Sequence, residues 1–245
     1  MLSDTTMEYG EQLTSALLGL DALYAEEQGI TEDDGNHIER LVVLNMSKSH
    51  KPEQFSDYAD AIDRFQSLQG EAAGLAEPDR QIYYGETSAS AVAFAMWRSS
   101  GLDFKDQLSR FLHIPAEPAS DVELGVLRDL LGQELTALGY SGDLESMVGV
   151  WQDTHRVAPE DVKATLDELL DEAWDRTEQK MEIPASKSDG MQVEIVRDVP
   201  YNAMCDYKHR LIRLNVDPVL TKPGLRHLAV HEGYPGHYVQ FKRRE

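Results

Sequence analysis

Between His231 and His237 the chain reads Glu-Gly-Tyr-Pro-Gly, and no regular helix can carry that stretch through its interior. Pro235 has no N–H to give and its ring crowds the preceding turn. Gly233 and Gly236 open backbone angles that other residues avoid. The proline alone costs about 3 kcal/mol inside a helix. Yet Leu225, Leu228, Ala229 and His231 recur at helical steps behind a capping Thr221 and an early Pro223, which predicts a helix running straight into the obstacle. Two outcomes fit: a kink or bulge that absorbs the extra residues, or a helix that ends at Gly233 with His237 on the next segment. Local rule-breaking of this kind is expected at functional sites.

The residues at either end of the obstacle indicate its chemistry. A His-Glu pair followed by a second histidine suits metal-assisted hydrolysis, because neutral imidazoles bind zinc and a neighbouring carboxylate takes a proton from water. In the common HExxH arrangement the histidines are one helical turn apart and share a face. Here they are six apart, which on a regular helix leaves the second about 120° from the first. A kink or bulge that absorbs the two extra residues brings His237 back beside His231. On this reading His231 and His237 are zinc ligands and Glu232 is the general base. A rival pair is His227 with His231, which has the ideal four-residue spacing but leaves the Pro-Gly pair unexplained. Tyr234 and Tyr201 are candidate donors to the oxyanion of a tetrahedral transition state, although aromatic packing is the commoner use of such residues.

The stretch Leu228-Ala229-Val230-His231-Glu232-Gly233-Tyr234-Pro235-Gly236-His237-Tyr238 resembles the HE-x-x-PGHH signature of the domain of unknown function 885 family. Its members are described as zinc metallopeptidases of largely helical, gluzincin-like fold. The resemblance is specific over residues 190–245 and architectural before that. It implies the same two histidine ligands, the same glutamate base, and zinc as cofactor. Two departures stand out: Tyr238 occupies the place of the family's next histidine, and the family's third ligand is a glutamate well downstream. The chain, ending at Glu245, is therefore expected to stop before its ligand set is complete. Catalytic zinc sites typically use three protein ligands.

The rest of the sequence supplies a scaffold. Residues 1–183 read as an acidic helical region. Leu13, Leu17 and Leu20 mark a first helix and Thr31 to Met46 a second. Phe55, Tyr58, Ile62, Phe65 and Leu68 mark a third, the small-residue run Ser90 to Trp97 lies in another, and Asp121 is expected to cap a stretch from Val122 to Leu138. Pro159 is placed in the first turn of a helix carrying Leu166, Leu169, Leu170 and Trp174. Residues 184–245 change character: Met191 to Arg197 and Arg210 to Val216 alternate as strands and are expected to pair antiparallel. The fold class is thus mainly α, with a small strand pair ahead of the metal-binding helix.

Charge narrows the partners. The net charge is −21, and residues 1–180 hold 36 acidic against 13 basic side chains. A phosphate backbone would be repelled by most of such a surface, so nucleic acid is excluded as a partner. Scarce lysine with abundant aspartate also suits solubility in high salt. The sequence shows neither a signal peptide nor a membrane span, so the expected location is cytoplasmic and the expected partner a peptide or small amide substrate. The single Cys205 reads as a small buried hydrophobe. His37, His50, His113, His155 and His209 lack ligand spacing. The function expected is zinc-dependent hydrolysis of a peptide or other amide bond; the alternative is a non-catalytic acidic helical interaction module or a degenerate relative of such an enzyme.

Overall fold

Helix-forming periodicity dominates the first part of the chain, and the structure, a computed structural model, realises it. It describes residues 2–30, 40–42, 45 and 49–244; most of the helix expected from Thr31 to Met46 lies outside the described residues. Contacts divide the chain into two units, Met1–Pro118 and Ala119–Glu245. The boundary expected at residue 183 from composition does not coincide with this division: the helices between residues 119 and 183 belong with the sheet and the histidine motif.

The first unit is helical. Helix α1 (Asp4–Gln28) starts where the Ser3 side chain accepts the Thr6 N–H and stops at Gly29, whose φ of 67° only glycine adopts readily. Helix α2 (Tyr58–Ala72) is capped by Asp57, and α3 (Pro78–Ser100) carries the small-residue run. Ala61, Ala91 and Ala95 are buried, so the helix backbones pack closely, with Phe65, Leu68, Leu13 and Leu20 filling the core between them. The Tyr9 hydroxyl in that core donates to the Leu68 carbonyl at 2.8 Å. Helix α4 (Phe104–Phe111) follows, capped by Asp103.

The second unit opens with α5 (Asp121–Ala137). Its cap is Ser120, which exchanges hydrogen bonds with Glu123, so Asp121 is the first helical residue rather than the cap. After α6 (Leu144–His155) comes α7 (Val162–Glu178), which begins past Pro159 with Asp161 at its N-terminus. Three short strands, β1 (Gln192–Val196), β2 (Ala203–Asp206) and β3 (Leu211–Asn215), form a sheet in the order β1-β3-β2. The two expected strands are neighbours, but they run parallel, with Val193 opposite Ile212 and Ile195 opposite Leu214. The antiparallel partner of β3 is β2, a four-residue strand with Cys205 opposite Ile212. The reversal has a physical basis in the turn after β2. Buried Asp206 accepts the His209 backbone N–H at 3.3 Å and lies 2.9 Å from its Nδ1, and Arg210 takes a left-handed φ of 58°. Arg213 on β3 lies 3.0 Å from the same carboxylate, pinning the hairpin register.

The centre strand β3 is the most buried of the three, with Ile212 and Leu214 wholly inside. Leu166, Leu170 and Trp174 of α7 pack onto the same core. Helix α8 (Lys222–Leu228) and helix α9 (His237–Lys242) bring Leu225, Tyr238 and Val239 into it. This core holds the segment between α8 and α9, where the histidines lie. No helix among the described residues is long and apolar enough to cross a membrane.

Candidate metal centre

Thr221 caps α8 as the sequence predicts, its hydroxyl accepting the Gly224 N–H at 3.2 Å. The helix does not run on regularly. Residues Ala229–Gly233 widen into a π turn, closed by the Tyr234 N–H donating to the Ala229 carbonyl at 3.2 Å. Such wide turns are rare and concentrate at functional sites. Tyr234 then turns extended (φ −127°, ψ 118°), the Tyr234–Pro235 peptide is cis, and Gly236 caps the new helix α9. His237 is the first residue of that helix. The helix thus ends at Gly233, and His237 opens the next segment.

The glycine before His237 is required by space. A Cβ at Gly236 would collide with the carbonyl oxygens of Val230 and His231. Only a residue without a side chain lets the returning backbone lie this close to the π turn. The Pro-Gly pair is therefore part of the mechanism that folds the chain back on itself.

The fold-back brings the two imidazoles together. The rings of His231 and His237 have centroids 4.9 Å apart and planes at 85°. Two imidazoles bound to one zinc at about 2.0–2.1 Å, with a tetrahedral angle between them, would have centroids roughly 5 Å apart. The pair observed has that separation. His227 and His231 are at 5.7 Å with planes at 34°, a looser match. His231 is exposed and His237 half-buried, so a ligand can reach them. The His237 ring is also held from behind. Phe241 lies 5.6 Å away with planes only 10° apart, and Nδ1 sits 3.1 Å from Gln240 Oε1.

Glu232, between the two histidines in sequence, is buried with 6% of its surface exposed. Its carboxylate lies toward β2. Burial first, then the charges of Glu232 and Asp206, push the Cys205 thiol up to about 12. Cys205 is therefore kept as a protonated, partly buried side chain, in keeping with its expected packing role.

The two tyrosine candidates from the sequence have defined contacts. Tyr234 is buried, its ring 4.8 Å edge-on to Trp174, and its hydroxyl accepts the Met191 N–H at 2.6 Å. Burial pushes that phenol up to about 12. It anchors the motif turn to the segment entering β1. Tyr201 lies in the link between β1 and β2, where its carbonyl accepts Asn215 Nδ2 at 3.0 Å. His209 is accounted for by its contact with Asp206.

Gln240 and Phe241 were not singled out from the sequence. The signal was present: three and four residues after His237 share its helix face once a helix is known to start there. What the sequence left open was the position of that start.

As a donor set, two neutral imidazoles at this separation fit two of the three protein ligands of a catalytic zinc. Among the described residues no group of three His, Cys, Asp or Glu side chains is assembled for a metal. No protein-family model, curated protein or solved structure matches the chain.

Proposed function

We propose that the second unit carries the histidine pair and general base of a zinc-dependent hydrolase acting on a peptide or other amide bond. The observation that carries this reading is the approach of His231 and His237, brought within 4.9 Å across a backbone reversal that permits no side chain at Gly236. A helix that merely ended at Gly233 has no need to return so closely to its own last turn. The resemblance of His231 to Tyr238 to the HE-x-x-PGHH signature points the same way.

In this reading His231 and His237 hold the metal. Zinc bound there supplies a Lewis acid for the carbonyl and makes water a stronger acid. Glu232 takes a proton from the attacking water and passes it to the departing amine nitrogen. Its burial beside β2 limits the ways the carboxylate can turn. His227 lies outside the ligand set, and Tyr234 serves the fold.

The test is zinc stoichiometry and affinity of the 245-residue chain, with amide hydrolysis measured over a peptide panel. His231→Ala and His237→Ala are expected to lower zinc affinity at least tenfold, while His227→Ala leaves it within about twofold. Glu232→Gln is expected to keep the metal and lose turnover. Zinc binding indifferent to His237 would sink the proposal. Absence of both zinc binding and hydrolysis would leave the acidic helical interaction module as the better reading.

A further inference from the structure

His237 can serve a metal through Nε2 only if the ring's one proton sits on Nδ1. In water a histidine side chain exchanges between its two neutral tautomers, so an unassisted ring offers the lone pair at either nitrogen. In this chain the choice is constrained by a neighbour. Gln240 Oε1 lies 3.1 Å from Nδ1 of His237. An amide oxygen can only accept, so that contact requires Nδ1 to be the donor, and the lone pair is left on Nε2.

The arrangement is built by α9 itself. His237 is its first residue and Gln240 follows one turn later, on the same face. The Gln240 N–H donates to the Gly236 carbonyl at 3.0 Å, so the backbone bearing Gln240 is fixed to the same turn that returns His237 to His231. Phe241, stacked within 10° of parallel on the imidazole, sets the ring plane. One short helix therefore sets the ring's plane and its tautomer.

We infer that Gln240 is a positioning residue that holds His237 in the Nδ1–H tautomer and so presents Nε2 as the ligating atom. This rests on the proposed reading of His237 as a ligand, but its first consequence can be observed without any metal. Hydrogen bonds from the outer nitrogen of a ligating histidine typically change metal affinity 10- to 100-fold. Because Gln240 is exposed, the lower end is expected.

The experiment uses the full chain with labelled histidine. Nitrogen chemical shifts of His237 in the metal-free protein, recorded on the neutral ring, report the tautomer directly. Wild type is expected to show Nδ1–H as the dominant form, and Gln240→Leu to shift the population toward Nε2–H. Gln240→Glu keeps an acceptor at the same reach and is expected to restore the Nδ1–H form. Zinc affinity should follow the same order, falling about tenfold in Gln240→Leu and recovering in Gln240→Glu. A wild-type ring in the Nε2–H form, or one whose tautomer is the same in wild type and Gln240→Leu, would overturn the inference. A tautomer that responds as expected, with no zinc bound by any variant, would uphold the role of Gln240 and refute His237 as a zinc ligand.

Discussion

Replacing Gly236 by alanine tests the fold-back that makes the site. The added Cβ would meet the Val230 and His231 carbonyl oxygens at separations that real atoms do not adopt. Both obstacles are backbone, held in the π turn, so no rotamer change can relieve them. Overpacking usually costs about 1–3 kcal/mol; with two backbone clashes the upper end, about 3 kcal/mol, is expected. Two other glycines of the second unit serve as internal standards. A Cβ at Gly233 would meet Leu170 Cδ2 at 2.6 Å, the movable end of a side chain, so Gly233→Ala is expected to cost about 1 kcal/mol. A Cβ at Gly125, inside α5, would meet nothing within 4 Å. Gly125→Ala should therefore stabilise by about 0.4–1 kcal/mol through lost freedom of the unfolded chain. The assay is urea unfolding of the second unit, followed through Trp174 with the other two tryptophans replaced by phenylalanine. The expected order of stability is Gly125→Ala, wild type, Gly233→Ala, Gly236→Ala. A Gly236→Ala protein within about 0.5 kcal/mol of wild type would show that the backbones do not approach this closely, and the histidine geometry would fall with it.

Two further outcomes follow from groups around the motif. Tyr234→Phe removes the acceptor for the buried Met191 N–H, so it should cost about 1–3 kcal/mol in unfolding experiments while leaving zinc affinity and turnover unchanged. A large loss of turnover at unchanged stability would return Tyr234 to a role in the reaction. Cys205 gives a pH dependence: its thiol is raised from 9.0 to about 12 in the folded chain, so folded protein keeps a proton that unfolded protein releases. Its contribution to stability is complete below pH 9 and is lost as pH rises from 9 to 12. Wild type should therefore lose stability more steeply than Cys205→Val across that window, and equal slopes would refute the burial argument.

The mainly helical class was legible because its signals are local. The leucine steps of α1, the aromatic spacing of α2 and the alanine run of α3 each report a buried face without reference to the rest of the chain. The sheet was harder for the same reason. Strand β2 spans only Ala203–Asp206, directly after Pro200-Tyr201-Asn202, and too few residues alternate to be read as a strand. Without it, β1 and β3 look like a hairpin with a long connection. Inserting β2 forces them parallel, since the chain must descend through β2 before rising again in β3. The unit boundary was obscured by composition. Acidity marks the solvent face of α5, α6 and α7, whereas membership of a core is decided by residues such as Leu170 and Trp174, which look the same in either unit.

The histidine pair shows how a helical-wheel argument can pose the right problem without containing its solution. On a continuous helix His231 and His237 diverge by about 120°. A local bulge would have had to absorb that rotation while keeping one helix axis. The chain instead ends one helix in a π turn and starts another at His237, so the two rings are carried by separate elements. Their separation is then set by the three residues between those elements, Tyr234, Pro235 and Gly236, and only weakly by the helices themselves. Tyr234 ties the first of these to the core through Met191, and Gly236 permits the close return at the last. The pair is therefore as rigid as that turn. Exchanging residues along the exposed side of α8 should leave zinc affinity alone, whereas any change that lengthens the turn by one residue should separate the rings and abolish it.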